Sequence, residues 1–405
     1  MKTAQQLDSW KRPENPAFPL SIRVILHIGF LLTGVVTVLL GPVLPALSAK
    51  WSLPDARAGL LFTAQFIGAT MGVALSARIP GRGFLGSLLA GYVAMALGIA
   101  TLGVGEWQVG FAAVLCFGLG LGMVIPPTNL WVAEANPERR AAAVSVINLV
   151  WGIGAVACGP LVSVIAARAG LGVFLWTLAG AIGLLTVAIA AIARRVDRQP
   201  AKNPEQVATQ PCVARRKQLA VVLGALFFLY VGTENSFGGW AAAYAKRVSH
   251  APEAIWVLAP SFFWAALLLG RTAAPLVLRR ISENGLLFIG LALAGVGDLI
   301  LLFAGNMRAL AVGNGLAGLG CAAIYPILIA WLSHGFGARA RRTGTVMFSL
   351  ANLGGATLPW TVGVISSRVG SLAAGLAIPL VSIVLMLALV VSGRGLFPSN
   401  PRVAR

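Results

Sequence analysis

The chain alternates long apolar runs with short polar segments. Twelve runs reach the roughly 20 residues needed to cross a hydrocarbon core as a helix: 22–48, 56–78, 84–103, 107–132, 141–166, 172–193, 219–245, 254–278, 284–304, 309–332, 343–366 and 372–393. Most connections are short. The exception is 194–218, which is polar and basic through Arg194, Arg195, Arg198, Lys202, Arg215, Arg216 and Lys217. The pattern predicts an N-terminal arm at 1–21, a six-helix bundle at 22–193, a linker at 194–218, a second six-helix bundle at 219–396 and a tail at 397–405.

The two bundles read as copies of one unit. Shifting the sequence by 200 residues lays 111–170 on 311–370 with 13 identities in 60 positions, against roughly five expected by chance in so apolar a composition. The matches include uncommon residues. Gly118, Gly120, Pro126, Trp131 and Arg139 fall on Gly318, Gly320, Pro326, Trp331 and Arg339, and Gly154, Ile165, Arg168 and Gly170 on Gly354, Ile365, Arg368 and Gly370. Spans 2 and 8 align at a shift of 202, with Gly68, Thr70, Arg78 and Ile79 on Gly270, Thr272, Arg280 and Ile281. Six spans per copy make the repeat parallel, so both copies enter the membrane from the same side. The expected fold class is therefore an all-α integral membrane protein, with twelve transmembrane helices in two pseudo-symmetric six-helix bundles.

Composition agrees with a lipid environment. Of 405 residues 58% are hydrophobic and 11% charged, where a soluble domain carries about 25% charged residues. The 48 glycines suit close helix packing in a bilayer. The formal charge of +19 could suggest nucleic acid, but its placement argues for topology instead. With both termini cytoplasmic, 23 of the 31 Lys and Arg fall inside, Arg271 lies within a span, and seven fall outside: Lys50, Arg57, Arg168, Lys246, Arg247, Arg308 and Arg368. That bias sets the orientation and predicts a multi-pass protein of the inner (plasma) membrane. The polar N-terminus lacks a signal-peptide cleavage pattern, so the first run reads as a retained span. Cys116, Cys158, Cys212 and Cys321 are far apart, with neither CxxC spacing nor a neighbouring His, and imply no metal site or disulfide framework.

Charge inside the spans is scarce. Glu234 lies near the middle of span 7, flanked by Tyr230, Thr233, Asn235 and Trp240, and Asp298 lies in span 9 toward its outer end. An ionisable group in hydrocarbon costs roughly 3 kcal/mol or more, which makes it a functional candidate by default. Glu234 could carry a proton or bind a polar ligand, or only brace a helix interface; Asp298 could act likewise or simply be wetted. Arg271 in span 8 could pair with a carboxylate, meet substrate, or snorkel to the inner surface. Gln65, Asn129, Asn148, Asn235 and Asn352 offer hydrogen bonds within the spans, and Trp151, Trp240, Trp264, Tyr325 and Trp360 offer flat apolar faces. A sugar-like solute needs both kinds of surface, although Trp also anchors helices at interfaces and Asn also bridges them. The three histidines are scattered, and no P-loop, GxSxG or HExxH occurs. The chain is therefore expected to be no enzyme, to use no cofactor and not to be ATP-driven.

The twelve spans, the repeat and the basic central loop together resemble the major facilitator superfamily across essentially the whole chain. GVALSARIPGRG at 72–83 looks like that family's glycine, acid and basic loop without its acid, and GRTAAPLVLRR at 270–280 like a second copy. Three segments are similar to the fucose–hexose–proton symporter branch: FLYVGTENSFGGW at 228–240, Gly270-Arg271, and NPERRAAAVSVINLVWGIGAVACGP at 136–160. The resemblance implies proton-coupled uptake of a hexose or deoxyhexose, with Glu234, Asn235 and Arg271 lining or gating a central cavity; the carrier is expected to be a monomer. The branch also carries acids in spans 1 and 4. Here spans 1–3 hold none and 118–129 is acid-free. Either Glu234 carries the proton, or transport is facilitated diffusion, or another ion is used. Two other functions remain in view. One is a proton-antiport exporter of drugs or amphipathic metabolites, since Gly152, Gly154, Gly159 and Pro160 partly resemble an antiporter motif. The other is a non-transporting membrane receptor.

Overall fold

The computed structural model describes residues 20–78, 83–136, 138–193, 214–337, 340–393 and 395–397. Most of the basic linker, the N-terminal arm to residue 19 and the tail beyond Phe397 lie outside them. Fifteen helical segments run through the described residues. The first bundle comprises α1 (Leu20–Val38), α2 (Leu40–Lys50), α3 (Asp55–Ser76), α4 (Gly83–Leu102), α5 (Trp107–Ala135), α6 (Arg140–Ala169) and α7 (Leu171–Ala193). The second comprises α8 (Ala214–Val248), α9 (Glu253–Trp256), α10 (Ala259–Val277), α11 (Glu283–Leu302), α12 (Met307–Cys321), α13 (Ile324–Phe336), α14 (Ala340–Val369) and α15 (Leu372–Ser392).

Fifteen helices make twelve spans because three spans are broken, each by one proline. A proline in a helix clashes with the carbonyl four residues before it and cannot donate to it. Pro42, Pro260 and Pro326 free the carbonyls of Val38, Trp256 and Ala322. The chain breaks there, between α1 and α2, α9 and α10, and α12 and α13. Pro160 sits inside α6 and Pro126-Pro127 inside α5 without a break.

Eleven helices are long and apolar enough to cross a membrane. The twelfth span, α14, is long enough at 30 residues but less apolar. Its Asn352 and the backbone at Ala356 and Trp360 meet α3 of the other bundle, so part of its surface faces protein rather than lipid. Helix ends differ from the expected spans by a few residues in both directions: α8 overruns at both ends, from Ala214, inside the segment expected to be linker, to Val248, whereas α3 stops at Ser76 and α11 at Leu302, each two residues short. Leu184, Val187, Leu269, Phe303 and Val384 stand exposed on the outside, a surface that suits lipid contact.

The repeat is visible in the packing of its glycines. A side chain at Gly118 would meet the backbone of Gln65 in α3, and one at Gly318 the backbone of Phe263 in α10. Gly120 lies on Gly91 and Met95 of α4, as Gly320 lies on Gly290 and Ala294 of α11. Gly154 lies on the Leu31 carbonyl of α1, as Gly354 lies on the Phe228 carbonyl of α8. Lipid offers no hydrophobic drive for helices to associate, so such close backbone contact supplies the packing.

Gly354→Ala would drive a methyl group into the Phe228 carbonyl oxygen, whereas a methyl at Gly315 meets nothing within 4 Å. Gly354→Ala is expected to cost about 1–3 kcal/mol and to lower the melting temperature in detergent, while Gly315→Ala leaves it unchanged. Equal melting of the two variants would disprove the close-contact account.

Candidate functional site

Tyr230 and Glu234 are one turn apart on α8 and share a face. Opposite them on α10, Arg271 Nη2 donates to Glu234 Oε1 at 3.0 Å and to the Tyr230 hydroxyl oxygen at 3.3 Å. The Tyr230 hydroxyl in turn donates to the Cys321 carbonyl at 3.1 Å. Cys321 ends α12 just before the proline break, where helical carbonyls lack partners within the helix. Tyr325, at the start of α13, packs against Tyr230 with ring centroids 6.0 Å apart. The broken span thus supplies both an acceptor and an aromatic wall. Glu234 is 7% exposed; Arg271 is only partly covered, and its Nε is buried without a partner. Of the three roles open to Arg271 in the sequence, pairing with a carboxylate is the one seen in this structure.

The first bundle answers with neutral groups. Leu31 serves Gly154 as Phe228 serves Gly354, and six residues further along each helix stand Thr37 and Glu234. Packing therefore matches Glu234 to Thr37, rather than to Gly34 as a plain 200-residue shift would have it. Gln65 Nε2 donates to the Thr37 carbonyl at 2.8 Å, and Trp151 Nε1 donates to its hydroxyl at 3.2 Å. Trp151 meets Trp264 of the other bundle edge to face, with centroids 6.1 Å apart. The Trp264 Nε1 is buried and unpartnered. It lies seven residues before Arg271, so two unused donors share one face of α10.

The other candidates are placed as follows. Asn148 Nδ2 donates to Asn129 Oδ1 at 2.7 Å, bridging α6 to α5. Asn352 Nδ2 donates to the Thr70 hydroxyl at 3.1 Å across the two bundles. Asn235 Nδ2 bonds back to the Val231 carbonyl. Trp240 is fully buried, with its Nε1 donating to the Pro359 carbonyl at 2.8 Å, and so braces α8 against α14. Asp298 is 0% exposed, hence not wetted, and neither carboxylate oxygen has a hydrogen-bond partner. Tyr230 and Thr37 were not singled out by the sequence as site residues; the one-turn spacing of Tyr230 from Glu234 was the available signal. Among the described residues no group of three His, Cys, Asp or Glu could hold a metal ion. Two crevices lie elsewhere and are mainly apolar, one lined by Ile22, Leu85 and Trp131 and the other by Val173 and Trp176.

The bundles are joined most firmly at the end carrying Lys50, Asp55 and Arg247. Arg247 donates to both oxygens of Asp55, at 2.7 and 2.5 Å. The Ser366 hydroxyl also donates to Asp55, and Ser367 Oγ accepts from the Ala56 amide at 2.9 Å. Along α3 and α14 the contacts continue through Gly59 on Trp360, Thr63 on Ala356 and Phe66 on Gly355, as far as Thr70 and Asn352. Ser163 on Ala254 and Ser261 on Val156 close the opposite seam between α6 and the α9–α10 segment. Past Thr70, towards the other end, Met71, Val73 and Leu75 stand exposed on α3, as Val346 and Phe348 do on α14.

Two six-helix bundles sealed at one end, with an ion pair inside the second bundle beside the seam and neutral polar groups on the side of the first, are the architecture of a membrane transporter. The chain belongs to the Major Facilitator Superfamily, whose sequence pattern matches residues 26–293. No curated protein matches it in sequence. Solved structures share the fold at low identity. A POT family transporter in complex with 5-aminolevulinic acid superposes with a TM-score of 0.76 at 13% identity, covering 92% of this chain and 96% of its own. The peptide transporter POT in complex with sulfate gives 0.74 at 14%, covering 92% and 94%. The Major Facilitator Superfamily transporter FucP, in the outward conformation, gives 0.62 at 16%, covering 91% and 97%.

Removing one partner of a buried pair leaves an uncompensated charge, at a cost of about 3 kcal/mol. Arg271→Leu should therefore melt well below the wild type, and adding Glu234→Gln to it should recover most of the loss; a double variant no more stable than Arg271→Leu would show that the pair is not coupled. Separately, Asp55→Asn removes a partly exposed pair worth up to about 1 kcal/mol. Spin labels at positions 57 and 369 should then report a longer cross-bundle distance at the sealed end, and an unchanged distribution would remove Asp55 from the closure.

Proposed function

We propose that the protein is an alternating-access secondary transporter that takes up a small, polar, sugar-like solute together with protons. Its two termini lie in the cytoplasm and it acts as a monomer in the inner (plasma) membrane. The observation that carries this reading is the Glu234–Arg271 pair, buried between helices of the second bundle beside the seam with the first.

The pair is neutral as a whole, which suits an uncharged solute. A proton arriving on Glu234 cancels its charge, weakens its hold on Arg271 and leaves the guanidinium free to donate to solute hydroxyls. The unused donors on Arg271 and Trp264 would then find acceptors. Trp151, Trp264 and Tyr325 supply flat faces for a sugar ring. Gln65, Asn129, Asn148, Asn235 and Asn352 supply neutral hydrogen bonds on either side of the seam. Glu234 and Asp298 are the coupling acids, because the first bundle offers only Thr37 where the second has Glu234. With the termini cytoplasmic, the sealed end is the outer one and the solute leaves toward the cytoplasm. Similarity of residues 228–240 and of Gly270-Arg271 to the fucose–hexose–proton symporter branch supports a sugar. The good superposition on POT structures puts short peptides in the same substrate screen.

The test uses liposomes with a trapped pH indicator, supplied in turn with hexoses, deoxyhexoses, nucleosides and dipeptides. A sugar should acidify the interior, and Glu234→Gln should abolish that acidification. Uptake that keeps its pH dependence in Glu234→Gln excludes Glu234 as the coupling residue. Sugar-independent efflux of amphipathic dyes in exchange for protons would favour the exporter instead.

A further inference from the structure

Asp298 is 0% exposed and, among the described residues, has neither an ion partner nor a hydrogen bond. It sits beside a second unsatisfied group. Asn314, on α12, is 1% exposed, and its Oδ1 is likewise buried without a partner. Its Nδ2 donates to the Leu310 carbonyl at 2.9 Å. A carbonyl can only accept, so this bond fixes which end of the amide is nitrogen and turns the oxygen the other way.

The two residues face the same side. α11 and α12 run antiparallel and touch through glycines: Gly297 lies on the Gly313 carbonyl and the Ala317 amide, and Gly313 lies on the Gly297 carbonyl and Leu301. Asp298 and Asn314 each follow their contact glycine by one residue. One residue turns a helix by about 100°. In antiparallel helices the two turns have opposite senses, so both side chains swing to the same flank of the seam. α8 lies on that flank, where the Tyr244 hydroxyl donates to the Leu301 carbonyl at 2.9 Å. Tyr244 of α8 and Cys321 of α12 lie within electrostatic reach of Asp298, and among the described residues no Lys, Arg or His pairs with it. α15, packed against α11, carries no ionisable side chain.

Among the described residues no donor reaches these acceptors. Tyr244 spends its proton on Leu301, and the buried Ser382 of α15 spends its own on the Ile378 carbonyl. Three oxygens, two from Asp298 and one from Asn314, have nothing to bind. An ionised carboxylate in that setting carries a desolvation cost that nothing offsets. We propose that Asp298 and Asn314 form a proton-binding site, separate from the Glu234–Arg271 pair, in which a carboxyl proton on Asp298 is donated to Asn314 Oδ1. One proton removes the charge and supplies the missing donor, and it needs no space. A hard metal cation would take roughly six oxygens, where the site offers three. The inference rests on the proton-coupled reading insofar as that reading makes Asp298 a coupling acid, but it is independent of the solute carried.

The test is infrared difference spectroscopy on the full chain in lipid nanodiscs at neutral pH, in sodium-free buffer. The wild type should show a carbonyl-stretch band of a protonated carboxyl that is lost in Asp298→Asn. The band should shift to higher frequency in Asn314→Leu, or in Asn314→Ala if the leucine variant does not fold, because the acceptor of the hydrogen bond is gone. It should persist in Glu234→Gln, which separates this site from the transport reading: loss of proton-driven uptake in Glu234→Gln leaves the band untouched. Absence of an Asp298 band, or a band that ignores substitution of Asn314, overturns the proposal. So does a band that disappears on adding sodium chloride but not choline chloride, which would make the occupant sodium.

Discussion

Hydrocarbon cannot hydrogen-bond the backbone, and each peptide group left unpaired there costs several kilocalories per mole. This constraint turns every apolar run of the chain into a helix. It also decides how the helices meet. Lipid is as apolar as leucine, so association depends on close backbone approach and a few polar contacts. The matched glycines Gly118 and Gly318, Gly120 and Gly320, and Gly154 and Gly354 provide that approach at the same positions in both bundles. The repeat persists at these positions because they are where a side chain would collide with a neighbouring helix.

Where a proline breaks a span, the freed backbone must find another partner or line a cavity. Span 10 finds a partner. The break after Cys321 leaves a carbonyl for Tyr230 and turns Tyr325 onto the same ring. Tyr230 then holds the environment in which Glu234 and Arg271 meet. A helix irregularity and a buried charge pair are therefore parts of one arrangement, and the first bundle, with Thr37 in the equivalent place, has only the neutral half of it. The membrane tolerates such charge when it is paired and in contact with protein.

The sealed end uses a different balance of forces. Asp55, Arg247 and Ser367 are polar and at least partly exposed, with only Ser366 buried behind them, so most of these contacts can exchange with water at little net cost. Inside the seam the contacts become apolar and aromatic, through Phe66, Trp151 and Trp264. A weak polar closure over a neutral inner face is suited to bundles that separate and rejoin, whereas an apolar lock of the same area would hold them in one state.

Much of this was legible in the sequence. Span number, the six-and-six division and the parallel repeat follow from hydropathy and from matched Gly, Pro, Trp and Arg, because the bilayer imposes one secondary structure and one length scale. Glu234, Asp298 and Arg271 stood out because charge in hydrocarbon is costly wherever it points. What the sequence could not determine is which of them meet. Glu234 and Arg271 lie 37 positions apart on different helices, and only the rotation of α8 against α10 brings them to 3.0 Å. Tertiary packing likewise places Asp298 and Asn314 on one flank of the α11–α12 seam, buries Trp240 as a brace on α14, and makes Thr37 rather than Gly34 the counterpart of Glu234 in the first bundle. Side-chain partners across helices depend on helix rotation and register. Those are fixed by packing between distant segments and leave no periodic trace along the chain.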